Sequence, residues 1–312
     1  MSKTSQLNNH FIKRTSCPVC DSSNIKNKYC ESYESEEIKT YLDNFYIPQG
    51  GVEHEFLKET DYSLMFCSNC DLVFQENIPN NDLMFRLYEK WIKADVILKQ
   101  QKEFPLWYYE TYANQMVDII SFFKKQPSDL KLLDFGMGWG KWCLMAKAFG
   151  CNVFGLELSE ARITYAQKNG IIVLSEAELS NHEFDYINTD QVFEHIPNPK
   201  ETLQVLLKIL KPNGVIKISV PDGNAIDEVL KHMNWNAKKG ELNSLNAVAP
   251  LEHINCFKTK TILTLAKQFD LQEIDIPRSK TNYKSKKDFI KKSLKALTTK
   301  NKRSTTLYFK KR

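Results

Sequence analysis

The chain has 312 residues, 42% of them hydrophobic and 26% charged, which is material for one large domain or a main domain with a smaller attachment. No apolar run approaches the ~20 residues that span a bilayer, and the polar start from Met1 to Arg14 lacks the apolar centre of a secretory leader. A cytoplasmic protein is expected. The net charge of +5 is unevenly spread: residues 278–312 hold fourteen Lys and Arg against the single Asp288, so the rest of the chain carries −8.

In chain order, the first region is rich in Cys, Asn, Ser and acidic residues and has few long apolar repeats. Its marked feature is two Cys-x-x-Cys pairs, Cys17-Pro18-Val19-Cys20 and Cys67-Ser68-Asn69-Cys70. Each pair forms a tight knuckle that aims two thiolates at one point, and two knuckles complete a tetrahedral zinc site. With Cys17, Cys20, Cys67 and Cys70 filling all four positions, the metal is structural and keeps no open position for catalysis. It would hold together a zinc-binding module over residues 1–80 whose apolar core is too small to suffice. A pair of redox dithiols is the alternative reading, and His10 or His54 offers a substitute ligand. Cys30, Cys143, Cys151 and Cys256 are scattered, as small buried side chains are.

Residues 81–127 read as a helical connector and acceptor-side cap. Leu83, Leu87, Trp91 and Ala94 recur at helical steps, as do Trp107, Tyr108, Tyr112, Met116, Ile119 and Ile120, with Pro105 between the two helices. From Leu130 onward, short apolar strands alternate with amphipathic helices, which predicts an α/β fold with a mostly parallel sheet and helices on both faces over residues 128–312. Strands are expected at Lys131–Phe135, Asn152–Glu157, Ile171–Leu174, Phe184–Asn188 and Val215–Val220. Helices are expected at Trp139–Phe149, after a cap at Ser159, at Lys200–Leu210 and from Thr259. Leu271–Ile276 and Thr305–Phe309 are candidates to close the sheet. The basic segment beyond Arg278 is either solvated or a binding surface for an anionic partner.

Between the first expected strand and its helix lies Asp134-Phe135-Gly136-Met137-Gly138-Trp139-Gly140. Glycines there allow a sharp bend and let a ligand approach the backbone without meeting a Cβ. The spacing is not the Gly-x-Gly-x-x-Gly of a dinucleotide site, because Lys141 stands where the third glycine would fall. Nor is it a Walker-type phosphate loop. Glu157, at the end of the second strand, is placed to accept both hydroxyls of a ribose.

From about Leu130 to Ile276 the chain resembles the class I S-adenosylmethionine-dependent methyltransferases, a family with a Rossmann-like seven-stranded sheet. Asp134-x-Gly136-x-Gly138-x-Gly140 is similar to that family's first motif and Glu157 to its ribose-binding acid. The segment from Phe184 to Ile196 resembles its fourth-strand region, and Leu210-Lys211-Pro212-Asn213-Gly214 its turn before strand five. The resemblance implies S-adenosylmethionine as cofactor, with adenine contacts around Glu176 to Glu178, Glu176 being the residue chosen here. It also implies that Asp190 or Gln191 faces the methyl donor. In Glu194-His195 the histidine either fixes the loop or is catalytic.

A methyl acceptor that must shed a proton needs a base, and Glu252-His253, beyond strand five, is the strongest candidate. A capping Glu and a buried His is the bland reading. The Cys-x-x-Cys pairs ahead of such a domain, with Glu-His before an aromatic residue, resemble sugar C-methyltransferases that act on nucleotide-linked keto sugars. In that family the motif is Tyr-x-Glu-His with histidine as base, and a further tyrosine follows the zinc module. Here Glu252, His253 and Tyr88 match, whereas Pro250 stands at the tyrosine position. The resemblance implies a sugar or nucleotide-sugar acceptor with His253 as general base. A second reading makes RNA or protein the substrate, bound through the zinc module and the basic C-terminal segment.

Overall fold

The computed structural model describes residues 9–101, 105–241, 243–278 and 304–312. Most of the basic C-terminal segment falls outside them. In chain order the elements are β1 (Phe11–Lys13), β2 (Ile25–Ser32), α1 (Glu36–Tyr46), β3 (Asp61–Cys67), β4 (Val73–Gln75), β5 (Asn77–Pro79), α2 (Asn81–Arg86), α3 (Ala94–Gln101), α4 (Leu106–Phe123), β6 (Lys131–Phe135), α5 (Lys141–Ala148), β7 (Asn152–Leu156), α6 (Glu160–Lys168), β8 (Ile172–Val173), α7 (Glu176–Leu179), β9 (Phe184–Asp190), α8 (Pro199–Lys208), β10 (Leu210–Pro221), α9 (Ile226–His232), β11 (Asn255–Cys256), α10 (Thr259–Lys267), β12 (Leu271–Ile274) and β13 (Ser304–Lys311). No helix among the described residues is long and apolar enough to cross a membrane.

The chain divides into two compact units that interleave along the sequence. One comprises residues 103–190, 204–219 and 269–312 and holds a seven-stranded sheet in the order β12-β13-β10-β9-β6-β7-β8. The strands β10, β9, β6, β7 and β8 run parallel, while β12 pairs antiparallel with β13. Because β6 is central, the chain leaves it toward β7 on one side and later returns to β9 on the other. The ends of β6 and β9 therefore flank the switch point where α/β sheets bind ligands. Buried Leu132, Tyr186 and Val215 pack with Met116 and Ile119 of α4 and Trp142 of α5. The Trp142 ring stacks on Tyr186 at 6.0 Å, and its indole N–H donates to Gln115 of α4 at 3.1 Å.

Several expectations shift locally. The helix expected from Trp139 begins at Lys141, because Gly140 is left-handed at φ 67°. Ser159 supplies no side-chain cap to α6. Lys211-Pro212-Asn213-Gly214 does not precede the fifth strand but bulges within it, between Leu210 and Val215. The expected closing segments do pair, as β12 and β13.

The other unit comprises residues 1–102, 191–203 and 220–268. Its first region, where the sequence shows few long apolar repeats, carries an antiparallel sheet in the order β11-β4-β3-β2 and a ribbon of β1 with β5. Residues 220–268, read from sequence as part of the methyltransferase domain, cluster here, and β11 extends the sheet of the first region. The core includes Tyr46 of α1, Leu83 of α2, Trp91 and Leu251. The expected first helix of the connector is broken: α2 passes into a π-helical turn over Leu87–Trp91 before α3. As expected, Pro105 sits at the start of α4.

Asp185 ties the sheet to its surroundings. It is nearly buried and accepts from the Lys131 N–H at 2.9 Å and from the ammonium groups of Lys125 and Lys211 at 2.7 Å each. Burial pushes its pKa up, but these three donors outweigh burial and hold it below the ordinary carboxylate value. Replacing Asp185 with Ala is predicted to cost about 3 kcal/mol of unfolding free energy at pH 7 in urea titrations. A depressed folded pKa gives stability that is lost as pH falls, so variant and wild type should converge below about pH 4.

Candidate functional site

The glycine turn leaves β6 with three successive left-handed glycines, Gly136, Gly138 and Gly140, at φ 75°, 54° and 67°. The N–H groups of Gly136 and Met137 both donate to the Leu156 carbonyl, which folds the turn back on β7. Gly140 at φ 67° lies where L side chains rarely go, and a Cβ there would also push the tip of the Ile171 side chain aside, so the conformation favours glycine. At Gly138 a Cβ would meet nothing within 4 Å. That open face is a cradle a ligand can approach. Glu157 lies one residue past β7. Its Oε2 accepts the Gly138 N–H at 2.9 Å, and its Oε1 accepts the N–H groups of Leu158 and Ser159 at 3.0 and 3.1 Å. Arg162 stands 3.6 Å from Oε1.

Asp134 is buried, accepts from the Asn188 amide at 2.7 Å, and has the Cys143 thiol 3.7 Å away. Burial raises its pKa to about 7 against the stabilising bond from Asn188. Asp190 ends β9 with its carboxylate 3.5 Å from the buried Lys217 ammonium, and Gln191 follows in the left-handed region at φ 57°. Glu178 is engaged in a capping box with Ser175, whereas Glu176 is exposed in the first turn of α7.

In the other unit, Cys17, Cys20, Cys67 and Cys70 converge so that all four sulfurs lie within 4.8 Å of one another. Cys17 and Cys70 are 3.5 Å apart, as are Cys20 and Cys67. Sulfurs bound to one tetrahedral zinc at about 2.3 Å stand about 3.8 Å from each other. The four thiols therefore fit the ion in number, type and spacing.

A second cluster in that unit is built on a histidine pair. The Tyr88 hydroxyl lies 3.1 Å from His195 Nδ1, which is also 2.8 Å from the Glu252 carbonyl. Because a carbonyl only accepts, Nδ1 carries the proton. His195 Nε2 is 3.7 Å from the fully buried Glu194 carboxylate. The His195 and His253 rings meet edge to face at 4.9 Å. His253 Nδ1 hydrogen-bonds the Asn246 carbonyl, which leaves Nε2 as the acceptor of a neutral ring. Burial, aided by the nearby His195, drives the His253 pKa well below the usual histidine value.

Against known proteins, the family model described as "methyltransferase domain" matches residues 94–275. The chain belongs to this family. It is an S-adenosylmethionine-dependent methyltransferase. An uncharacterized protein of Methanocaldococcus jannaschii is 23% identical over 185 residues, covering 56% of this chain and 88% of that one. A ubiquinone biosynthesis O-methyltransferase of Photobacterium profundum is 29% identical over 106 residues, covering 30% of this chain. The match spans 45% of that relative's length, under half of it. Among solved structures, a plantazolicin methyltransferase in complex with SAH superposes with a TM-score of 0.48 at 18% identity, covering 73% of this chain and 93% of that one.

In the methyltransferase, Asp134, the three glycines, Glu157 and Asp190 belong to one unit, while Tyr88, Glu252 and His253 gather in the other. The Glu252 side chain is buried next to the hydroxyls of Tyr41 and Tyr46, and it meets the histidine pair through its backbone carbonyl. Sequence reading missed the residues that hold this cluster. Gln75, wholly buried on β4, donates to the carbonyls of Ala249 and His253 and accepts from Leu251, which is left-handed at φ 71°. Arg14 donates to the Asn255 side chain and the Pro197 carbonyl, and Asn255 donates to the carbonyls of Phe193 and Ile196. No local motif announces such clamps, since each joins segments far apart in the chain.

The raised pKa of Asp134 has a thermodynamic signature. A carboxyl protonated up to about pH 7 when folded, but only to about 4 when unfolded, favours folding at low pH and loses that contribution as pH rises through 7. In melts without cofactor, the stability of wild type relative to Asp134→Asn should fall between pH 4 and pH 7.5. A difference independent of pH would show that Asp134 is not perturbed.

Proposed function

We propose that the protein methylates a small, sugar-like acceptor, such as a nucleotide sugar or glycoconjugate, with His253 as general base. The observation that carries this reading is the clustering of Tyr88, His195 and His253, with His253 held neutral by burial. S-adenosylmethionine supplies a methyl group already activated by its sulfonium, so the protein's work is to hold the donor, orient the acceptor and take its proton. In this reading Gly136, Gly138 and Gly140 receive the methionine part, with Asp134 setting the shape of the turn. Glu157 takes the ribose hydroxyls with its remaining acceptor capacity, Glu176 contacts the adenine, and Asp190 and Gln191 border the methyl donor.

His253 accepts the acceptor's proton on Nε2 while Nδ1 stays bonded to the Asn246 carbonyl. Tyr88 and the His195 ring orient it, and Glu252 fixes the loop through its backbone carbonyl on His195 Nδ1. The low proton affinity of His253 suits an acceptor that ionises readily, such as a carbon beside a ketone or an acidic hydroxyl. Relatives named for O-methylation in ubiquinone biosynthesis support a small molecule in this role. The four cysteines bind a structural zinc, for which their spacing is the support.

Replacing His253 with Ala or Gln should lower kcat by about 100-fold or more while the dissociation constant of S-adenosylmethionine, read by calorimetry, changes less than about twofold. Unchanged turnover of a sugar acceptor would reject His253 as base. Metal analysis of the purified protein should find one zinc per chain, lost together with thermal stability in Cys17→Ser; a protein that is stable and metal-free would reject the zinc module.

A further inference from the structure

Two features of the donor-side unit are used neither by the glycine turn nor by Glu157. The first is a pair of tyrosines one turn apart on α4. The hydroxyls of Tyr108 and Tyr112 are 2.8 Å apart and their rings meet edge to face at 4.9 Å. The second is Lys141, which opens α5 directly behind Gly140 and places its ammonium 5.3 Å from the Tyr108 ring centroid and 5.9 Å from that of Tyr109. The bond from Trp142 to Gln115 fastens α4 to α5 just beyond the turn. The tyrosine pair is therefore tethered at the switch point, and its ring faces already attract one cation.

A carboxylate extends the pattern. Asp190 ends β9, the strand that pairs with β6 ahead of the glycine turn, and its charge adds to burial in raising the Tyr108 and Tyr112 hydroxyls above their ordinary value. Burial keeps Tyr108 and Tyr112 protonated, so they present neutral rings. Asp134 is sealed in the sheet, whereas the Asp190 side chain is 31% exposed, with the Lys217 ammonium 3.5 Å from its Oδ1. A carboxylate beside electron-rich aromatic faces is a receptor for a weakly hydrated cation.

In this enzyme the reaction itself involves such a cation. The donor carries a sulfonium; when the methyl group leaves with its bond to the acceptor, the sulfur takes back the electron pair and becomes neutral. We infer that the ring faces of Tyr108 and Tyr112, together with the Asp190 carboxylate, form a charge-selective cradle that holds S-adenosylmethionine more tightly than S-adenosylhomocysteine. The inference rests on the reading that the cofactor lies against Gly136–Gly140. The cradle positions the donor by its charge and loosens when that charge is consumed, so the same residues favour donor binding and product release.

Calorimetry tests this on the full-length protein with three ligands: S-adenosylmethionine, neutral S-adenosylhomocysteine, and sinefungin, in which a protonated amine replaces the sulfonium. Tyr108→Leu and Tyr112→Leu should weaken the two cationic ligands by about tenfold and S-adenosylhomocysteine by less than threefold. The isosteric Asp190→Asn should do the same, independently of any effect of the Leu substitutions on folding. Equal weakening of all three ligands, or no weakening, overturns the cradle. Gly138→Val, with its fold checked by melting, separates the two ideas. If it abolishes binding of all three ligands while the Tyr and Asp190 variants fail to discriminate, the cradle falls and the cofactor's location stands. If it leaves S-adenosylhomocysteine binding intact, the location falls and takes the cradle with it.

Discussion

The methyltransferase unit depends on the hydrogen bond from the Asn188 amide to Asp134, buried between neighbouring strands β6 and β9 at the point where strand order reverses. A carboxylate in that position resists ionisation, and the Asn188 bond is what makes its burial tolerable. The bond crosses from the strand that ends in the glycine turn to the strand that ends in Asp190. It therefore ties together the two strand ends that flank the switch point. Asp134 stands two residues before Gly136, and at Gly138 a Cβ would meet nothing within 4 Å, so the backbone there is open to approach.

The sheet was legible in the sequence because its signals are local. Each expected strand from Lys131 to Val220 is a short apolar run bounded by turn residues; the structure reproduces the first four with shifts of at most two residues and starts the fifth five residues earlier, at Leu210. Glycine spacing marked the left-handed turn for the same reason, since backbone freedom belongs to the residue itself. Where the reading drifted, a neighbouring side chain or strand pairing had decided the outcome. Ser159 is a good capping residue by type, yet its side chain caps nothing, and the carboxylate of Glu157 accepts the N–H groups of Leu158 and Ser159 just ahead of the helix. Lys211-Pro212-Asn213-Gly214 reads as a turn, yet pairing with β9 resumes on both sides and absorbs it as a bulge.

The other unit was the less legible one. The strands of its first region are either three residues long, as β1, β4 and β5 are, or, like β2 and β3, too mixed in composition to show a period, and two of its structural partners lie about 180 residues further along the chain. Asn255-Cys256 pairs with Val73-Phe74, and Gln75 reaches the carbonyls of Ala249 and His253. The Cys-x-x-Cys pairs were readable because their chemistry is carried by spacing. Glu252-His253 was readable as a dipeptide, but its environment was not. The partnership of His195 with Tyr88, Glu252 and His253 is made by three segments, none of which points to the others in sequence.

The place of β13 in the sheet constrains how the protein is made. Ser304–Lys311 inserts between β12 and β10, so a strand that follows β10 by more than eighty residues occupies an interior position. Until those residues leave the ribosome, β10 has an unpaired side, with its N–H and C=O groups open to any other extended chain. The strands from β6 to β10 emerge more than eighty residues earlier and must wait. Vectorial synthesis thus leaves this enzyme with a delayed pairing step, during which the edge of its central sheet is exposed to mispairing and to chaperones that shield such edges.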